Sequence, residues 1–385
     1  MGGYAATNND SPGERDASRW QTVFKRSSGT ARILWIRNLT NVVVDGITIR
    51  DGYSKVVSAS TIYDGAGIRV QSTTNVEIRN CRIINNTLYN STDHYQGRGA
   101  GLFVTASSGF RLLDSIVSGN YSYGDQWHNR GYAGGFYGEG GSGIISNCMF
   151  ISNRARAAGG NFDYTYSRAG AIYINGGNWQ IFKTVMISNT AEHGYAGAYY
   201  TRGGACYIEG AGSVLMRNCL IARNDSLYQG DGIFITGGNV SMELSTVVSN
   251  KGYGVYRTGG TVAIDSSILW GNGDDLYGIT DGVIYSCVEN GDFNQTNGCV
   301  MVNPLFHDTT YFHLGSRAGT YLGGYFSGGT WGYSPLISPL IDAGNPSLPF
   351  ANEPMPNGGR VNMGAYGNTQ VASKKVLAGS VFMIK

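Results

Sequence analysis

Polar and apolar residues alternate in short runs along most of the chain, most plainly in "VSMELSTVVS" at 240–249. Alternation with a period of two predicts strand, not helix. The runs recur as copies of one motif: "NCRIINN" at 80–86, "DSIVSGN" at 114–120, "NCMFISN" at 147–153, "KTVMISN" at 183–189, "NCLIARN" at 218–224, "LSTVVSN" at 244–250 and "SSILWGN" at 266–272. A weaker copy, "DGITIRD", ends at Asp51. The closing Asn or Asp falls at 51, 86, 120, 153, 189, 224, 250 and 272. Periods of 20–50 residues mean stacked supersecondary units. A second apolar run, behind a glycine-rich lead-in, precedes each motif, as in "GAGIRV" at 65, "GAGLFV" at 99, "AGAIYI" at 169 and "GGACYI" at 203.

Each repeat therefore carries about three short strands and no helical stretch. The predicted fold is all-β, a right-handed parallel β-helix whose coils stack at about 4.8 Å and stabilise one another as nearest neighbours. The closing asparagines predict a ladder of stacked amides. A second column, Cys81, Ser115, Cys148, Thr184, Cys219, Ser245, Ser267 and Cys287, puts small residues at one inward position. No two of its cysteines fall in adjacent coils, and two coils, about 10 Å, are too far for a disulfide. Cys287 with Cys299 is the one pairing left open. Coils are expected over 1–297 and a capping segment and tail over 298–385, where six of the eight prolines cluster between 335 and 356. Folded over the last coil, that segment would blunt an open strand edge.

Composition narrows the function classes. The 385 residues include 59 glycines without a collagen period, and only 14% are charged. A net charge of +2 gives no global field for nucleic acid. No apolar run approaches the ~20 residues of a membrane helix, and "MGGYAATNNDSPGERD" has no apolar signal core. There is no Walker loop, HExxH, CxxC or GxSxG. A monomer is expected.

The links between repeats carry the candidate chemistry. Five successive links, within about 51–232, run to about 15–18 residues, whereas the link after Asn250 is only "KGYG". Stacking predicts that these insertions line up as a canopy of loops on one edge, where solenoids often bind. They are rich in rings: Trp127, Tyr132, Tyr164, Tyr166, Tyr195, Tyr199 and Tyr200, with Tyr228 in the next link. Such rings suit sugar stacking, or pack on one another. One column reads Asp64, Arg98, Tyr132, Arg168, Arg202, Gln229 and Lys251. Arg168 and Arg202 are neighbours in it. Two adjacent cations call for an anion between them. An acidic polysaccharide would serve, and so would a local acid such as Asp163, Glu192 or Asp231. For cleavage of such a polymer by a lyase, His193, His128 and Tyr166 are candidate proton carriers. Asp163 and Asp225 are candidate calcium ligands. A glycosidase would need a carboxylate pair, for which Asp163 with Glu192 or Asp225 with Asp231 are candidates. The alternative is a surface adhesin or structural shaft without catalysis.

The tail "NPLF…YFHLGSRAG…SPLIDAGNP…EPMPNGGRVNMGAYGNT", with "RILWIRNLTNVVVDGITIRDG" at 32–52 and the coils, resembles bacterial right-handed parallel β-helix proteins with a choice-of-anchor Q region. Asn303 stands where Asp is usual before "PLF", and Asn368 where Gly is usual in "GAYGGT". The resemblance implies a pectate-lyase-like fold and an extracellular or surface-attached protein, without a settled activity. Relatives of this kind usually carry an opening coil and cap before the first motif, so a truncated or unusually capped N-terminus is expected here.

Overall fold

The computed structural model describes residues 1–4, 13–16, 19–57, 63–91, 96–125, 130–158, 166–194 and 201–377. Among them there is no helix, and nearly all strand pairing is parallel, from each coil to the next. The result is a right-handed parallel β-helix. Its shaft has three faces. The first carries Leu34–Arg37, Ile68–Gln71, Leu102–Thr105 and Phe136–Glu139. The second carries Thr40–Asp45, Thr74–Arg79, Phe110–Leu113 and Ser142–Ser146. Two long strands, Ile172–Phe182 and Cys206–Arg217, run across the turn and join both faces into one 16-stranded sheet. The third face is a ten-stranded ladder from Thr22–Lys25 to Cys287–Val288.

The repeated motif marks two sharp corners. Residues opening it, among them Asn80, Asp114, Asn147, Lys183 and Asn218, have φ of 44–55°. So do the residues just before its final Asn, such as Asn85, Ser152, Ser188, Arg223 and Ser249, with φ of 52–55°. Left-handed backbone turns the chain hard, and Asn and Asp tolerate it best. The final asparagines then point inward and stack. Asn86, Asn120, Asn153, Asn189, Asn224 and Asn250 each donate Nδ2 to the Oδ1 of the next, at 2.9–3.0 Å, ending on Asn272. The ladder opens one residue later than the motif suggested. Asp51 has the corner φ of 58°, and Gly52 takes the ladder position, giving its N–H to Asn86 Oδ1 at 2.9 Å.

The cysteine column closes differently as well. Its hydroxyls cap the corner carbonyl two residues back, as Ser115 does to Leu113 and Ser245 to Glu243. Ser115, Ser245 and Ser267 also accept the backbone N–H of the coil before, and the last to do so is Ser286 under Ser267, not Cys287. All six cysteines are free and buried, Cys287 and Cys299 included. Cys287 donates its thiol to the Val302 carbonyl and Cys299 to that of Val283, so the two point to different carbonyls. Burial pushes the Cys148 and Cys219 thiols up to about 12, which makes them inert packing groups.

The core is a stack of Ile, Val, Leu and Phe inside the coils. Trp179 enters it through a slot that Gly138 and Gly143 leave open, where a Cβ would stand 2.7 and 2.6 Å from its ring. The C-terminal segment does two things. Val300 pairs beside Cys287 at the end of the third face. The rest runs back along that face, where Phe312, Tyr321, Tyr366 and Val371 pack on Val185, Leu220 and Val248. Strands such as Val185–Ile187 and Leu220–Ala222 are therefore buried on both sides.

The long links are in part strand. Each leaves the shaft as one strand, and the second to the fifth return as another. The outgoing strands, Tyr53–Val56, Thr87–Asn90, Tyr121–Gly124, Arg154–Ala157, Thr190–His193 and Asp225–Ser226, form a six-stranded parallel sheet. The returning strands, Gln96–Arg98, Arg130–Tyr132, Tyr166–Arg168 and Thr201–Arg202, form a four-stranded one. Back to back they make a thin fin. It is thin because the facing residues are small, among them Ser122, Ala155, Ala191, Gly97, Gly131 and Ser167. Hydroxyls tie the layers together: Ser122 donates to the Gly97 carbonyl and Ser167 to that of Glu192, both at 2.8 Å.

Candidate functional site

The returning layer of the fin meets the first face of the shaft at a concave corner, a cleft of about 360 Å³. The fin supplies Gln96, Arg98, Arg130, Tyr132, Tyr166 and Arg168. The shaft supplies Tyr137, Glu139, Asn175 and Glu209. Register brings them together. Gln96, Arg130 and Tyr166 share one column of the fin, and Arg98, Tyr132, Arg168 and Arg202 share the next. On the shaft, Thr105, Glu139, Asn175 and Glu209 follow one another.

Under the cleft lies an aromatic column: Phe103, Tyr137, Tyr173, Tyr207, Phe234 and Tyr256. Tyr137 and Tyr173 stack at 4.5 Å, and Tyr207 and Phe234 at 5.3 Å. These rings are buried. Guanidinium groups cover them: Arg98 lies 4.9 Å from the Phe103 centroid, Arg168 4.8 Å from that of Tyr207, and Arg202 5.0 Å from that of Phe234. The geometry is that of cation–π contact. Burial pushes the Tyr137 and Tyr173 phenols well above their usual range, so they act as hydroxyl donors.

The arginines are held by carboxylates. Arg98 reaches Glu139 at 2.6 Å and Asp64 at 2.8 Å, and Thr105 donates to the other oxygen of Glu139 at 2.8 Å. Arg168 reaches Glu209 at 3.1 Å and Tyr173 Oη at 3.2 Å, and Tyr173 donates its hydroxyl to Glu209. Arg168 and Arg202, the pair expected to hold one anion, differ in their surroundings. Arg168 is engaged by Glu209, while Arg202 covers Phe234 and is not part of the cleft lining. Of the acids expected to neutralise them, Asp163 lies outside the described residues and the other two have these partners. Glu192 pairs with Arg154, and Asp231 accepts the Ser226 backbone N–H.

The other expected residues are dispersed. His193 is buried in the fin, in one column with Asn90, Gly124 and Ala157, away from the cleft lining. Tyr132 is buried, with Arg168 5.3 Å from its ring centroid, so its face is not offered to a sugar. Tyr166 lies between two cations, with Arg130 and Arg168 each 5.2 Å from its ring centroid. Tyr228 is exposed in the link after the last long one and lies outside the cleft lining. Asp225 Oδ2 accepts Lys251 Nζ at 3.0 Å, a contact calcium would have to displace. Among the described residues no three His, Cys, Asp or Glu side chains gather as a metal site. His128, Trp127, Asp163, Tyr164, Tyr195, Tyr199 and Tyr200 lie outside the described residues.

Sequence reasoning passed over Glu139, Asn175, Glu209 and Arg130. The first three stand directly after the apolar run of successive coils, as in "FYGE", "IYIN" and "CYIE". That shared position was the available signal. Arg130 opens a returning strand, and its column was not legible before the fin was known.

A family model described as right handed beta helix region matches residues 27–133. Searches of curated proteins and of solved structures return no match. The matched stretch spans the coils from Leu34 to Tyr132, and the same ladders continue to Val288. Match and ladders together make this a right-handed β-helix repeat protein.

Proposed function

We propose that the fin and shaft bind a polysaccharide between them. The observation that carries this reading is the lining of the cleft, which is almost wholly hydrogen-bonding: three guanidinium groups, two carboxylates, two amides and phenol hydroxyls. A sugar chain presents hydroxyls on all sides and is matched by planar donors and acceptors held in fixed positions. Arg98 and Arg168 are fixed by the two carboxylates of the cleft, so these side chains have little freedom left to lose on binding. The buried aromatic column stiffens the wall beneath them, and of its rings only Tyr137 lines the cleft. Cleavage of the bound chain as a lyase would run its proton through Tyr166, the phenol that both Arg130 and Arg168 touch. A polymer of this kind lies outside cells, and we place the protein there with it.

Asn175 tests the reading cleanly, since its side chain makes one hydrogen bond among the described residues, a long 3.4 Å bond to Tyr137 Oη. Asn175→Ala should weaken binding of an oligosaccharide from a polymer panel at least fivefold with an unchanged melting temperature. Unaltered affinity would move the site elsewhere, and a wild-type protein that binds no polymer of the panel would remove the function.

A further inference from the structure

The charges of the cleft do not cancel. Its lining holds Arg98, Arg130 and Arg168 against Glu139 and Glu209. Arg98 is paired with Glu139 and with Asp64 behind it, and Arg168 with Glu209. Both oxygens of each cleft carboxylate are engaged, by Arg98 and Thr105 in one case and by Arg168 and Tyr173 in the other. Arg130 stands beside these pairs and has no carboxylate partner among the described residues. What it touches is the Tyr166 ring, 5.2 Å from its centroid. Its Nε is buried and makes no hydrogen bond. A buried guanidinium nitrogen without an acceptor is costly. It is relieved by an incoming oxyanion, which a guanidinium engages through two parallel bonds.

We propose that Arg130 selects an oxyanion substituent on the bound sugar, a carboxylate or a sulfate. The inference rests on the saccharide reading of the cleft and adds the residue that sets its charge preference. A buried Nε without an acceptor is shared by Arg168 and Arg202, but Arg168 has a carboxylate partner in Glu209 and Arg202 does not line the cleft. One uncompensated cation admits one anion per site. A neighbouring anion on the chain would face Glu139 or Glu209, so a polymer with spaced charges fits better than one charged on every residue.

The test uses matched pairs of oligosaccharides. A uronate tetrasaccharide is compared with its carboxyl-reduced form, and a sulfated tetrasaccharide with its desulfated form, by titration calorimetry. Wild type should bind one charged member at least tenfold tighter than its neutral twin, and which pair shows the preference identifies the anion. Arg130→Gln should bring that ratio to about one with the melting temperature unchanged; the ratio of charged to neutral twin, not the absolute affinity, is the readout. Arg130→Lys should restore part of the preference. Equal binding of charged and neutral twins by wild type, or an undiminished preference in Arg130→Gln, overturns the assignment while the saccharide reading stands. Failure of wild type to bind any member overturns both.

Discussion

Asn153 donates its side-chain amide to Asn189 Oδ1, 3.0 Å away in the next coil, and gives the same oxygen its backbone N–H at 3.0 Å. One buried oxygen thus satisfies two buried donors. Asn189→Ala strands the Asn153 backbone N–H and removes the donor to the Phe150 carbonyl, at about 1–3 kcal/mol for each unsatisfied group, while the Asn153 amide keeps the Val117 carbonyl. The variant should lose roughly 3 kcal/mol or more in urea unfolding. Asn178, which accepts the Ser213 hydroxyl on the exposed outer turn, is the control. Asn178→Ala should cost about 0.5 kcal/mol or less. Equal losses would mean that amide stacking, not burial, sets the value of such a ladder.

This ladder was legible in the sequence because one residue type recurs at one place in every coil. The corner positions on either side were less so. Asp51 and Cys287 match the motif by type yet sit one residue off their columns, since a corner accepts several residues that tolerate left-handed backbone. The fin escaped for a different reason. Its strands alternate, as "YSYG" and "RARA" show, but the buried positions are Ser, Gly and Ala, so no apolar stripe announces a core. The neighbours Arg168 and Arg202 were read correctly as adjacent. The carboxylate that Arg168 meets was not named, because Glu209 approaches it from the shaft, 41 residues further along the chain.

The thinness of the fin makes a sharp demand at Gly131. A Cβ there would stand 2.5 Å from the Arg156 carbonyl oxygen and 2.9 Å from that of Ser122, both backbone atoms of the outgoing layer. Neither can move without shifting its strand. Gly131→Ala should destabilise the protein by about 1–3 kcal/mol, the cost of overpacking. Proteolysis should report the fin opening before the shaft melts. An unchanged cleavage pattern would show that the layers slide apart at no cost.

Arg168 is a structural group as well as a cleft residue. It pairs with Glu209 and lies against Tyr132, Tyr166 and Tyr207. Its side chain is 17% exposed, so solvent screens these contacts only in part. Arg168→Ala should lower the melting temperature, by an amount equivalent to about 1–3 kcal/mol. Glu209→Gln in the same background should add little, since its partner is already gone. Independent, additive losses would show that the pair is not coupled.

The C-terminal segment carries a carboxyl group whose titration should be readable in stability. Glu353 is 5% exposed, and its Oε1 accepts the backbone N–H groups of Asn362 and Asn368, each at 2.8 Å. Burial pushes this carboxyl from 4.5 up to about 7, against those two bonds, and the charge of Asp342 adds to the push. The folded value lies above the unfolded one, so the fold favours the protonated form. That stability is fully present below about pH 4.5 and is lost as pH rises through about 7. Its size is at most about 3 kcal/mol. His313 acts with the opposite sign. Burial holds its ring down to about 4 from 6.5, so its share is full above 6.5 and lost as pH falls through 4. The two effects oppose each other in the wild-type curve, and a variant separates them. Glu353→Gln keeps the accepting oxygen and cannot ionise, while His313 is common to both chains. The melting temperature of Glu353→Gln relative to wild type should therefore be flat below pH 4.5 and climb steadily to about pH 7.5. A difference that stays flat across this range would mean that Glu353 is charged in the fold at neutral pH and finds a partner there.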